Sequence, residues 1–334
     1  ILDAYFAQKE KHQQIEVIDI NHTAKYEELS LTRTAEHTRA YLKVQDGCNQ
    51  FCTYCIIPYA RGRVRSRKKE EVVREVETLA ANGYREVVLT GIHLSSYGVD
   101  LKDENGKQQE DLLSLIRAVH EVEGIVRIRL GSLEPRIITE EFASELSKLK
   151  KICPHFHLSL QSGCNATLKR MNRRYSAEEY YEKCRILRKY FDNPALTTDV
   201  ITGFPGETEE EFEESRRFVD KVDFYETHIF KYSKRRGTKA AEMKGQITEQ
   251  EKAGRSAILQ EMNERKQAEY EKQWVGKEVE VLFEEVTEKE GRKMVTGHTR
   301  EYLRISVPCT EDGEESWTNQ IKKIKIVDIS QITH

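Results

Sequence analysis

The sequence predicts an α/β protein: a partial (β/α)6 TIM-like barrel followed by a small antiparallel β-barrel. Two observations carry this reading. As far as Ile247, six short β-branched or apolar runs alternate with amphipathic helical stretches, a pattern that implies right-handed βαβ units and a parallel sheet. From about Trp274 strand-like runs follow one another without helices between them, as in an antiparallel sheet.

The six runs are Ala40–Val44, Glu86–Thr90, Ile125–Leu130, His155–Leu160, Leu196–Ile201 and His228–Tyr232. Each ends in a Gly or polar cluster. Between them, Lys69–Asn82, Gln109–Val122, Thr139–Leu149, Ser176–Tyr190 and Glu207–Val222 space their apolar residues as helices do. Six units make an open barrel rather than a closed eight-stranded one, and its active face is expected at the C-terminal ends of the strands. Residues 248–272 read as a highly charged connecting helix. Four strands then follow at Glu278–Phe283, Lys293–His298, Leu303–Val307 and Ile321–Ile329. Small barrels of this kind often bind oligonucleotides.

The 334 residues are 38% hydrophobic and 33% charged, enough for one large domain and a small one. A net charge of −3 excludes a protein that holds nucleic acid by overall charge, so such a partner needs local basic patches. No apolar run approaches the roughly 18 to 20 residues needed to span a bilayer, so no membrane partner is expected. The first residues show no basic segment followed by an apolar core, and no signal peptide is expected. Seven cysteines, three of them clustered, do not resemble a secreted disulfide framework. The expected location is cytoplasmic.

The decisive segment is Gly47-Cys48-Asn49-Gln50-Phe51-Cys52-Thr53-Tyr54-Cys55, directly after the first strand. Thiolates are soft ligands and suit iron–sulfur clusters or zinc. Cysteines at 48, 52 and 55 would wrap three corners of a cubane and leave the fourth iron open to the amino and carboxylate groups of a small molecule. A zinc site completed by a distant His or Cys is the alternative, although its usual second Cys-x-x-Cys pair is missing from the sequence. Cys153, Cys164, Cys184 and Cys309 are scattered and read as packing residues.

The C-x-x-x-C-x-aromatic-C pattern, with Tyr54 at the aromatic position, resembles that of radical S-adenosylmethionine (SAM) enzymes. Residues 56–67, 89–93, 157–163, 169–175, 199–208 and 232–241 are similar to the methylthiotransferase branch. Gly91-Ile92-His93 and the His155–Gln161 stretch look most like the members that act on N6-threonylcarbamoyladenosine beside the anticodon of tRNA. The resemblance runs from about residue 38 to the C-terminus.

It implies a [4Fe-4S] cluster on Cys48, Cys52 and Cys55 that binds SAM at its open iron. One electron, from a donor such as flavodoxin or ferredoxin, would cleave SAM to methionine and a 5′-deoxyadenosyl radical. That radical would take hydrogen from C2 of the modified adenine, where a methylthio group is inserted. The partner implied is the anticodon stem-loop of tRNA. The resemblance also implies a radical SAM barrel over 38–247, a connecting helix over 248–272 and a TRAM-like RNA-binding β-barrel over 273–334. Residues 1–37 look like the remnant and linker of an N-terminal methylthiotransferase domain, whose three further cysteines would hold a second [4Fe-4S] cluster. Without that domain, SAM cleavage is expected but sulfur insertion is not. Two rivals stand beside this reading: a methylthiotransferase acting on a ribosomal protein, and a non-catalytic zinc or RNA-binding module.

Position nominates the SAM contacts. Tyr54 lies on the cysteine loop. Gly91 lets a ligand approach the backbone closely, although a plain strand-to-loop turn explains it equally. Glu134 would bind ribose hydroxyls or the ammonium group, and Gln161 offers a donor and an acceptor. Arg173 would fork onto the methionine carboxylate, with a solvated surface arginine as the alternative. Asp199 sits on an otherwise apolar strand, where a charge must be paired or face a cavity. For RNA, Arg61, Arg63, Arg65, Arg67, Lys68 and Lys69 form one basic segment and Lys231, Lys234, Arg235, Arg236 and Lys239 another. Residues 273–334 carry nine Lys and Arg against twelve Asp and Glu. Binding there would use stacking, with Tyr302 and Trp317 as candidates, and a few placed bases such as Arg300 and Arg304.

Overall fold

The alternating runs form six parallel strands. The computed structural model describes residues 38–289, 291–309 and 317–334, together with Tyr26; the expectations for the N-terminal remnant otherwise fall outside these residues. Strands β1 (Arg39–Asp46), β3 (Glu86–Gly91) and β4 (Arg127–Leu130) pair in parallel, with the two-residue β2 (Arg65–Ser66) antiparallel on the outer edge of β1. Strands β5 (His155–His157), β6 (Ala195–Thr202) and β7 (Glu226–Lys231) form a second parallel group. Parallel bridges at Ile128–Ile152 and Leu133–Leu158 join the two groups into one curved sheet.

Helices α1 (Ile57–Ala60), α2 (Lys69–Ala81), α3 (Leu112–Glu121), α4 (Glu140–Ser147), α5 (Asn165–Arg170), α6 (Ala177–Tyr190), α7 (Glu209–Val222) and α8 (Lys239–Glu242) occupy the crossovers. Four of them, α3, α4, α6 and α7, start where a side-chain cap satisfies the first free amides, whereas α2 starts after Lys68 without one. Asp111, Thr139, Ser176 and Thr208 each accept a bond from the amide three residues on. The Asp111 cap explains why α3 begins later than the expected Gln109. Val72, Val76, Leu115, Ile116, Phe142 and Leu187 pack with strand residues such as Leu42, Leu89, Ile128 and Val200 in one core.

Helix α9 (Glu249–Lys272), capped by Thr248, leads into a five-stranded antiparallel sheet of order β11-β8-β9-β10-β12. Its members are β8 (Glu278–Lys289), β9 (Arg292–Thr299), β10 (Arg304–Pro308), β11 (Ile321–Lys325) and β12 (Ile332–Thr333). β8 outruns the expected end at Phe283. An irregularity between Phe283 and Glu285 shifts the register, and the strand continues along β9 with polar residues. The run expected as far as Ile329 stops at Lys325, because Asp328 caps a short 3-10 turn before β12.

The sheet docks against the N-terminal ends of the barrel strands, the end opposite the cysteine loop. Glu86, fully buried, holds Arg129 at 2.8 Å and faces Arg127 at 3.8 Å. Both arginines also donate to sheet carbonyls, Arg127 to His298 and Glu280, Arg129 to Arg300 and Thr299. Tyr302, in a left-handed turn, is stacked between His155 (4.6 Å) and His298 (4.8 Å) and covered by Arg129. The expectation that Tyr302 and Trp317 stack on RNA is therefore corrected. Tyr302 joins sheet to barrel, and Trp317 is buried edge-on against Phe283. Arg300 donates to the carbonyls of Lys150 and Ile152, and Arg304 to His334 and Glu285.

Candidate active site

The cysteine loop leaves β1 through a turn that only glycine fits. Gly47 has φ +69°, and a Cβ there would lie 1.8 Å from the carbonyl oxygen of Arg63. Gln45, the buried polar residue one turn of the pleat earlier, braces both sides of that turn. Its amide donates to the carbonyls of Asp46 (2.5 Å) and Gly47 (2.7 Å), while its Oε1 accepts from the His93 amide (2.7 Å). Asp46 receives the Gly47 amide, Lys43 and Arg61. Although partial burial opposes it, these bonds hold its carboxyl below the ordinary range.

The far side of the loop is clasped by the segments after β5 and β7. Thr53 donates its amide to the Met171 carbonyl and its hydroxyl to that of Arg170, and its own carbonyl accepts from the Ala240 amide. Asn172 donates to the carbonyls of Gln50 and Phe51. Cys48 is buried, Cys52 and Cys55 are half-buried, and all three are free thiols. Burial pushes Cys48 and Cys55 up, with Cys52 and Cys55 adding at the first and Cys52 at the second, so a metal bound here displaces protons. Among the described residues no three His, Cys, Asp or Glu side chains converge on a single-ion site, the three cysteines included. Three soft thiol donors spaced along one braced loop suit the corners of an iron–sulfur cluster.

Around the loop stand the other residues that the sequence nominates. Arg173 lies against Cys52, with Nη1 3.4 Å from its Sγ; Nε donates to the Tyr175 hydroxyl and Nη2 to the Ser159 carbonyl. Its fork is thus partly engaged in holding the loop. Tyr54 packs edge-on against Phe204, and burial raises its hydroxyl well above the ordinary value. Gly91 makes room for Gln45, whose Oε1 would lie 2.9 Å from an added Cβ. Glu134 is 8% exposed and accepts from Arg136 at 2.7 Å. Gln161 is buried with φ +73°; its amide donates to Asp199 and its carbonyl accepts from Ile201. A non-glycine residue in that region is strained and held by its surroundings. Asp199 pairs in register with His228 and lies 3.2 Å from His157 Nε2, a charge contact rather than an aligned hydrogen bond.

Sequence reasoning misses two residues of the site. Gln45 is a buried amide ending an apolar strand, and that contrast is its signal. His93 has Nδ1 2.6 Å from Ser96 Oγ, while its buried Nε2 has no hydrogen-bond partner among the described residues. Burial pushes it down to about 4, so the ring is neutral at physiological pH. The first basic segment divides. Arg61 and Arg65 pair with Asp46, and Arg67 is buried against Glu75, so these three serve the loop and helix α2. In the second segment Lys231, Lys234, Arg235, Arg236 and Lys239 are exposed. Helix α9 reaches the site as well. Gly203, at φ +66°, is packed by Lys252, and buried Glu207 accepts from the Gly203 amide (2.8 Å) and Arg255 (2.7 Å).

A six-stranded parallel half-barrel carrying three cysteines on the loop after its first strand defines a radical SAM enzyme. The Radical SAM superfamily model matches residues 42–219. Coproporphyrinogen III oxidase (HemN) from Escherichia coli superposes with a TM-score of 0.51 at 12% identity, covering 84% of this chain and 74% of that one, which shows the shared fold. Within the superfamily the chain belongs to the tRNA methylthiotransferases. It is 42% identical over 321 residues to threonylcarbamoyladenosine tRNA methylthiotransferase MtaB of Bacillus subtilis, covering 96% of this chain and 69% of that protein. It is 38% identical over 300 residues to tRNA-2-methylthio-N(6)-dimethylallyladenosine synthase of Caldicellulosiruptor saccharolyticus, covering 90% of this chain and 61% of that protein. The chain thus spans about two thirds of the length of these relatives. No helix among the described residues is long and apolar enough to cross a membrane.

Proposed function

We propose that the protein is a radical SAM enzyme that adds a methylthio group to C2 of N6-threonylcarbamoyladenosine next to the anticodon of tRNA. The braced Cys48–Cys52–Cys55 loop carries the reaction class. The choice of adenosine follows the greater identity to the threonylcarbamoyladenosine enzyme, 42% against 38%. A [4Fe-4S] cluster on the three cysteines, when bound, supplies the electron and the open iron for reductive cleavage of SAM.

The chain's own residues do the rest. Gln45 and Asp46 fix the loop, and Arg173 places a permanent positive charge beside Cys52. We assign Tyr54, Gly91, Glu134, Gln161, Arg173 and Asp199 as the SAM contacts. Neutral His93 offers its free nitrogen at the same mouth. We assign residues 38–247 to the barrel, 248–272 to a connecting helix and 273–334 to a TRAM-like RNA-binding unit, the five-stranded sheet being its support.

The test is nucleoside analysis of tRNA from cells lacking their own threonylcarbamoyladenosine methylthiotransferase and carrying the natural gene for this protein. Appearance of the 2-methylthio form of that nucleoside is expected. Methylthiolation of the dimethylallyl nucleoside instead would replace the substrate. No modified tRNA together with a modified ribosomal protein would overturn the RNA reading.

A further inference from the structure

The outer wall of the cysteine loop is built differently from its inner one. Phe51 has φ +52°, a conformation side chains seldom adopt, and Asn172 holds it there through the Gln50 and Phe51 carbonyls. Its ring lies 4.6 Å beneath the guanidinium of Arg63 and meets Tyr59 edge-on at 5.5 Å. Tyr59 is 49% exposed, a large aromatic face left to solvent. Arg63 is exposed, and no carboxylate pairs with it among the described residues.

The neighbouring arginines behave otherwise. Arg61 and Arg65 share the single carboxylate of Asp46, which Lys43 also contacts, and Arg67 pairs with Glu75. Lys234, Arg235 and Arg236 are likewise exposed and without ion pairs among the described residues, and their segment is tied to the cysteine loop where the Ala240 amide donates to the Thr53 carbonyl at 2.9 Å.

One exposed aromatic face, that of Tyr59, beside cations without ion pairs among the described residues matches single-stranded nucleic acid, whose bases stack while its phosphates are neutralised; half-buried Phe51 supports the ring and Arg63. Duplex RNA keeps its bases stacked on each other and has no use for the rings. We propose that Phe51, Tyr59 and Arg63 form a stacking subsite for an unpaired nucleotide flanking the one that is modified, with Lys234, Arg235 and Arg236 taking its phosphates. This rests on the RNA-substrate reading above.

The experiment measures binding of a fluorescently labelled anticodon stem-loop to the cluster-reconstituted protein by anisotropy. A second hairpin lacks the bases flanking the target adenosine. Tyr59→Ala is expected to weaken binding of the intact hairpin about tenfold, to leave the abasic hairpin almost unaffected, and to be rescued by Tyr59→Phe. Replacing Lys234, Arg235 and Arg236 by Gln should lower the slope of log affinity against log salt by about 0.7 for each phosphate that is no longer neutralised. Visible absorbance reports whether the cluster is intact. If Tyr59→Ala lowers cluster content, Arg63→Gln takes its place. Affinity equal to wild type in the cluster-loaded variant would overturn the proposal. So would equal losses on both hairpins, which would mean the ring only supports the loop. A wild-type protein that binds no anticodon hairpin overturns the underlying RNA reading instead.

Discussion

Replacing Glu86 by Gln removes the one carboxylate that faces two buried guanidinium groups where sheet and barrel meet. Glu86 is fully buried, bonds Arg129 at 2.8 Å and faces Arg127 at 3.8 Å without a hydrogen bond. With an effective dielectric constant of 20, a unit charge pair is worth roughly 6 kcal/mol at the shorter distance and roughly 4 at the longer. Desolvation of the carboxylate and both guanidinium groups offsets much of that sum. Removing one partner of a buried pair nevertheless costs about 3–5 kcal/mol, because the remaining charges stay buried. Glutamine still accepts one bond from Arg129, so a loss near 3 kcal/mol is expected in urea unfolding. The pH dependence supplies a second readout. Although burial opposes it, Arg129, Arg39 and Arg127 hold the Glu86 carboxyl below its ordinary value. The unfolded carboxyl titrates near about 4.3. The stabilisation is therefore complete above that pH and is lost as pH falls through the lower folded value. Wild type and Glu86→Gln should differ most near neutrality and converge in strong acid. A loss below about 1 kcal/mol at pH 7, on the scale of a surface ion pair, would refute the reasoning.

Further substitutions probe the other devices. Gly47→Ala should fold yet fail to hold a cluster, because its Cβ would strike the Arg63 carbonyl; normal far-ultraviolet circular dichroism with no visible absorbance is the expected pair of results. Tyr302→Leu keeps an apolar side chain but loses the stacks on His155 and His298. At about 0.5–1.5 kcal/mol each, a loss of about 1–3 kcal/mol is expected by urea titration. Arg255→Ala leaves Glu207 buried without its cation, and a loss of about 3–5 kcal/mol should appear as a lower thermal midpoint that added SAM does not restore.

The parallel barrel was legible in the sequence because strand and helix periods differ, and several crossover helices begin at a recognisable cap such as Ser176 or Thr208. The cysteine loop was legible because soft ligands at close spacing seldom arise from packing. The two-residue β2 was not, since it is too short to have a period. Nor was the extension of β8, whose irregularity after Phe283 breaks the alternation. The misassigned residues share one cause. Tyr302, Trp317, Arg300, Arg65 and Arg67 are polar or aromatic residues of a kind common on surfaces, and only three-dimensional pairing shows that Glu75, Asp46, backbone carbonyls and neighbouring rings engage them. His93 was hidden for the opposite reason, since an orphan nitrogen is a property of its surroundings and leaves no mark on the chain.

The central claim is that Cys48, Cys52 and Cys55 hold a cluster that cleaves SAM. The most direct measurement reconstitutes the protein anaerobically with iron and sulfide, counts iron, reduces it, adds SAM and quantifies 5′-deoxyadenosine. About four irons per cluster, with 5′-deoxyadenosine formed by wild type and abolished by Cys52→Ala, is the expected result. Stoichiometric zinc without visible absorbance, or 5′-deoxyadenosine that persists in Cys52→Ala, would contradict the account.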